Sequence, residues 1–102
     1  MFVILVTYKK PLALVDPHLA AHSDHLAQGY QKNYFVVSGR RNPRLGGVII
    51  SHLDDRQLLE TFISQDPFYQ HDIADYEIIE FTPGKRHPDF EKFIVSSQTI
   101  LT

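Results

Sequence analysis

The chain contains no cysteine. It can therefore hold no disulfide scaffold, no thiolate nucleophile and no cysteine-ligated zinc. It has no large excess of charge of either sign: ten Lys and Arg stand against twelve Asp and Glu. That balance leaves no electrostatic footprint for nucleic acid. Arg40, Arg41 and Arg44 do cluster, but three arginines in one loop read as a solvated rim. No apolar run approaches the ~20 residues that span a bilayer. The opening Met1-Phe2-Val3-Ile4-Leu5-Val6 is apolar but short, with no basic flank and no small-residue cleavage site. It does not read as a signal peptide. Neither nucleic acid nor membrane is expected as a partner, and a cytoplasmic location is the expectation. Repeats and low-complexity segments are also missing.

What is present suits one small globular domain. The 102 residues are 43% hydrophobic and 22% charged, too apolar for disorder. A domain this small leaves much of its surface wet, so burial against another chain would help it. Residues 2–8 read as a strand with Phe2, Ile4, Val6 and Tyr8 on one face and Val3, Leu5 and Thr7 on the other. Both faces are largely apolar, so both should be covered. Helices can cover one; a partner chain is the simplest cover for the other.

Lys9 to Leu14 reads as a connection. Asp16-Pro17 supplies an N-cap and a first-turn proline, opening a helix to about Lys32 that Asn33 stops in left-handed geometry. Its inner stripe is Leu19, His22, Leu26 and Tyr30. Strand two is Tyr34 to Ser38, closed by Gly39. After the arginine loop, Gly46-Gly47 opens strand three, Val48 to His52. Asp54 caps a second helix carrying Leu58, Leu59, Phe62 and Ile63 at helical spacing. Asp66-Pro67-Phe68-Tyr69 suggests a short extra turn, and strand four runs from about Asp75 to Phe81. Pro83-Gly84 breaks the pattern before a helical stretch from Pro88 to Ile94. The expected fold class is α+β: a ferredoxin-like βαββαβ domain over residues 1–82 with a C-terminal extension, 83–102. Its crossovers are expected to place both sequence ends on central strands.

His22 is the first candidate for chemistry. An imidazole on a buried stripe loses hydration unless something bonds it, and it titrates near neutral pH. A core histidine satisfied by a carbonyl or carboxylate is the plain alternative. Asp66 follows Phe62 by four residues and continues the inner stripe of helix two. Capping alone can explain an Asp before Pro. Yet both helices share one sheet face, so Asp66 can reach His22 and orient its ring. His18, His22 and His25 stand at i, i+4 and i+7, a spacing compatible with a metal; the plainer expectation is no metal, with His18 and His25 flanking the stripe in solvent. Ser38, Gly39 and Arg40 end strand two. Gly39 can give a positive φ or a close ligand approach, and Ser38 with an arginine can hold an anionic oxygen. Arg41 and Arg44 read as a hairpin corner.

These pieces together resemble the YciI-like family, that of the YCII-related domain: the opening strand with Tyr8, His22-x-x-His25-Leu26, Ser38-Gly39, Gly46-Gly47 and Asp66-Pro67-Phe68. The resemblance covers roughly residues 1–82. It implies a dimeric α+β barrel with a catalytic or ligand-binding site at His22 and Asp66, and Ser38 and Gly39 lining the same cleft. Lyase- or dehydrochlorinase-like work on hydroxylated rings is the activity it suggests. The chain departs from the family in having Gly39-Arg40 where Gly-Pro is frequent, and in its tail from Pro83. The resulting expectation is a cofactor-free acid–base enzyme, acting as a homodimer or higher homo-oligomer on a small molecule. Ser38, Gly39, Arg40 and Phe68 would bind that molecule. A non-catalytic ligand-binding module and a structural dimer are the competing readings.

Overall fold

The computed structural model describes residues 1–94; residues 95–102 of the expected extension lie outside the described residues. The chain runs β1 (Phe2–Tyr8), α1 (Leu12–Val15), a 3-10 turn (Asp16–His18), α2 (Leu19–Gln31), β2 (Phe35–Arg40), β3 (Gly46–Ser51), α3 (Arg56–Ile63), α4 (Pro67–Gln70) and β4 (Ala74–Glu80). A 3-10 helix over Pro88–Phe93 follows. The four strands form one sheet in the order β2-β3-β1-β4, every neighbouring pair antiparallel. This is the ferredoxin-like α+β arrangement. β1 inserts between β3 and β4, so the sequence begins on a central strand. β4 lies at an edge, contrary to the expectation that both ends would be central. Among the described residues no helix is long and apolar enough to cross a membrane.

Alternation along β1 decides which face is the core. Phe2, Ile4 and Val6 are buried, and Ile4 sits across from Ile49 on one side and Ile78 on the other. Leu59, Phe62 and Ile63 of α3 close over this face with Val15, Phe35 and Phe68. Burying aliphatic and aromatic side chains of this size stabilises the fold by roughly 1.5–3 kcal/mol each. The opposite face carries a second apolar row that crosses all four strands: Val37, Ile50, Val3 and Ile79. Val37 is 51% exposed and Ile79 44%.

Several boundaries differ from the sequence expectation, each for a local reason. Helical backbone begins at Leu12, and Asp16 adopts helical φ/ψ with no side-chain cap bond. Pro17 has no N–H to continue the α pattern, so the run tightens into a 3-10 turn there rather than starting there. Asp16 instead pairs with Arg44. Asn33 does stop α2, at φ 61. Tyr34 N–H bonds Gly29 O, and Asn33 N–H bonds Tyr30 O, which is the Schellman closure. β2 continues through Gly39 to Arg40, and β3 starts at Gly46. Asp55, not Asp54, caps α3, accepting the Leu58 N–H at 3.1 Å.

Gly46 is fixed by its surroundings. Its φ is +151, and a Cβ there would lie 1.8 Å from the Val6 carbonyl oxygen. Backbone cannot yield as a side chain can. Gly39, by contrast, has open space where a Cβ would stand. Gly46→Ala should lower stability by ~2–4 kcal/mol, whereas Gly39→Ala should change it by less than ~1 kcal/mol. Urea unfolding of both variants checks this, and equal effects would contradict the assignment.

Candidate functional site

His22 lies one turn inside α2, on the face turned toward the sheet. Asp66 lies beyond the end of α3 and opens α4. Its Oδ1 accepts the Phe68 N–H at 2.8 Å, so it is an N-cap. The same carboxylate meets the His22 ring: Nδ1 is 2.9 Å from Oδ1 and 2.8 Å from Oδ2. Capping and pairing are thus one arrangement rather than rival explanations. The side chains are 13% and 3% exposed, respectively. A carboxylate buried this deeply must have its lone pairs met. An ionised carboxylate only accepts, so Nδ1 carries the hydrogen. The ring nitrogen Nε2 is left for other chemistry.

The ring is held flat as well as tethered. Phe68 stacks on His22 with centroids 4.0 Å apart and planes 9° from parallel. Tyr8 meets Phe68 edge-on at 5.8 Å. Tyr76 of β4 is opposite Val6, and its hydroxyl is buried without a hydrogen-bond partner. Burial first, and then the Asp66 charge, push the Tyr76 phenol far up from its ordinary pKa. It remains a neutral O–H donor.

His22 forms part of a cleft of about 320 Å³ between α2, α4 and the β2–β3 end of the sheet. Ser38, Gly39, Arg40 and Phe68, the four binding candidates, all line it. Leu19, Leu26 and Ile49 give it apolar walls. Gly39 has no positive φ; Gly46 is the glycine that does. Ser38 Oγ lies 2.7 Å from the Tyr30 hydroxyl. The three loop arginines differ. Arg41 donates to Thr7 Oγ1 at 2.9 Å, and Arg44 pairs with Asp16. Arg40 pairs with Gly47 through the strand ladder, but among the described residues its guanidinium has no hydrogen-bond or ion-pair partner, so its charge is available to a ligand. Arg44 also lines the cleft, where the sequence placed it at a hairpin corner.

The three α2 histidines diverge. His18 stacks on His71 with centroids 4.5 Å apart. His25 is 7% exposed, not solvated as its flanking position suggested. Its ring stacks on Phe62, and Nε2–H donates to the Phe62 carbonyl at 2.9 Å. Among the described residues no group of three or more His, Asp or Glu could hold a metal. Sequence reasoning named Tyr8 and His25 as pieces of the family resemblance and Tyr30 as part of the helix stripe, but it missed Tyr76 as part of this region. Strand alternation places Tyr8 and Tyr76 on the inner face, but no local signal shows that the Tyr76 hydroxyl ends buried.

The YCII-related domain model matches residues 1–82, and the chain belongs to that family. No curated protein matches the sequence. Among solved structures, the fold is similar to the 5-chloro-2-hydroxyhydroquinone dehydrochlorinase of Burkholderia phenoliruptrix AC1100 in complex with 2,5-dihydroxybenzoquinone. The TM-score is 0.58 at 16% identity, covering 79% of this chain and 93% of that one.

His25 gives this region a pH dependence of known sign. Desolvation is the largest influence and lowers its pKa below the ordinary 6.5; the His22 charge acts the same way. The Asp66 charge and the bond to Phe62 oppose them. Below pH 6.5 the unfolded chain binds a proton at His25 that the folded chain resists. This contribution to stability is therefore whole above that pH and fades as pH falls through the folded value. His25→Gln, whose amide can still donate to Phe62, should show a shallower loss of stability between about pH 7 and 5.5. Identical slopes in denaturant titrations of the two proteins would count against it.

Proposed function

We propose that this member of the YCII-related domain family is a small cofactor-free enzyme that uses His22 and Asp66 for acid–base chemistry on a small hydroxylated ring. The observation that carries the reading is the His22 Nδ1 contact of 2.8 Å with a buried Asp66 carboxylate, in a cleft that also holds the unpaired Arg40. Asp66 fixes the ring tautomer and steadies the imidazolium formed when Nε2 takes a proton. Arg40 then faces the electron pair left on a substrate oxygen. Returning that pair to a different carbon, with the proton, is isomerisation; expelling a neighbouring leaving group is a lyase reaction. Ser38 and Phe68 orient the ring, and Gly39 leaves room beside it.

The cleft volume of about 320 Å³ is at the small end of ligand sites, which suits a single ring. The similar dehydrochlorinase, bound to a dihydroxybenzoquinone, supports that class of substrate, although this fold serves many functions. In this reading residues 1–82 are the catalytic domain and the segment from Pro83 is an addition to it. The protein works in the cytoplasm as a homodimer, with the second apolar row of the sheet covered by another copy.

With a panel of hydroxylated quinones and lactones, His22→Ala should lower kcat by ~10²–10⁴-fold. Arg40→Ala should chiefly raise KM. A folded His22→Ala protein with unchanged turnover would exclude the enzyme role. Binding that survives in a protein with no turnover anywhere on the panel would favour a capture module.

Val37→Lys places a charge in the outer apolar row and should shift the protein toward monomer in sedimentation velocity. An unaltered oligomer distribution would contradict the proposed interface.

A further inference from the structure

The cleft beside His22 is one-sided in charge. The guanidinium groups of Arg40 and Arg44 both line it, and among the described residues no Asp or Glu does. The Asp66 carboxylate behind His22 is already met by the His22 ring and the Phe68 N–H. One phenolic oxygen facing Arg40 would leave the second cation unused. The two cations differ in what holds them. Arg40 has a free guanidinium, whereas Arg44 pairs with Asp16. That pair joins the β2–β3 loop to the 3-10 turn that precedes Leu19, another lining residue.

The pair is weakly held. Its side chains are 29% and 53% exposed, and water screens an open pair so that it adds little net stability. Asp16 has no second task to fix it in place, since it makes no side-chain cap bond. A carboxylate carried by a ligand competes on better terms. It arrives with a ring that displaces water from between Leu19, Leu26 and Ile49, and charge pairs strengthen as the local dielectric falls. A guanidinium can also meet both oxygens of a carboxylate at once.

We infer that Arg44 is a specificity-determining residue of this cleft: it exchanges Asp16 for a carboxylate on the bound ring, so the substrates are hydroxylated rings that carry an acid group. The inference rests on the proposal that the cleft takes a hydroxylated ring, and it adds the acid group and its receptor. Arg40 keeps the ring oxygen, and Arg44 takes the carboxylate. Asp16 is the internal competitor. A neutral ring gains nothing from Arg44 and leaves the pair with Asp16 closed.

Resorcinol and 3,5-dihydroxybenzoate test this at pH 7, because they differ only by an ionised carboxylate. Their dissociation constants are read from the backbone amide shifts of Gly39 and Gly47 during NMR titration of the full-length protein. The acid should bind about 10-fold or more tightly than resorcinol. Arg44→Ala should cut that preference to about 3-fold or less, and Asp16→Asn, which removes the competitor, should raise it by about 3-fold. Neither variant should change the affinity for resorcinol by more than about 2-fold. If the preference survives Arg44→Ala undiminished, or the unaltered protein shows none, the inference is overturned while ring binding stands. If neither compound moves these amides, the cleft does not take hydroxylated rings, and the inference falls with that reading. Should Arg44→Ala fail to fold, Asp16→Asn decides alone: a raised preference supports the exchange, and an unchanged one removes it.

Discussion

A carboxylate almost wholly withdrawn from water is unstable unless its charge is met on the spot. Asp66 is met by an imidazole N–H from α2 and by a backbone N–H at the start of α4. Those two bonds come from different elements, so the buried charge sets where α4 begins and how α2 lies against it. Phe68, the second residue of α4, is thereby laid flat on His22. The cleft wall and the orientation of the ring both follow from one buried anion. Hydrogen bonds to charged groups are among the stronger ones, ~1.5–3 kcal/mol each, and their loss would leave the ion uncompensated.

A second histidine reinforces the first. His25 lies three residues further along α2 and binds the Phe62 carbonyl, four residues before Asp66. Two bonds from one helix thus grip two successive turns of the neighbouring segment. They differ in kind. His22 faces an anion, while His25 faces a neutral carbonyl in an apolar setting that disfavours its charged form. The same residue type therefore has two roles, assigned by what lies opposite each ring. One ring is bonded to a carbonyl in the core, and the other lines the cleft.

The sheet has two unlike faces, and the site uses only one. The inner face gives the cleft its floor at Val6 and Ile49. The outer face carries an apolar row from Val37 through Ile50 and Val3 to Ile79. Beside that row the tail returns: Phe93 meets His52 edge-on at 5.8 Å, and Phe90 helps line a second hollow with Ile50 and Phe81. Residues past the family match thus pack against the face that β1's double apolar pattern marks for cover.

The element order was legible because its signals are local. Alternation in residues 2–8, the Asn33 stop and the Asp66-Pro67 cap each act within a few residues of chain. They also brought His22 and Asp66 onto facing stripes, since two helices on one sheet face leave little freedom. Local signals misled where two neighbours compete for one task, as with Asp16 against Pro11 at a helix start or Asp54 against Asp55 at a cap. They were silent where a contact spans the chain. The burial of His25 depends on where α3 crosses α2. The partner of Arg44 lies 28 residues away, and Arg40 is left free only because its neighbours find partners that it does not. Strand register alone sets Tyr76 opposite Val6. Sequence by itself determined which segments form strands and helices and which faces are apolar, because those depend on backbone and solvation within each segment. Tertiary structure decided which polar groups are satisfied and which remain available, because that depends on distances between segments that no local pattern encodes.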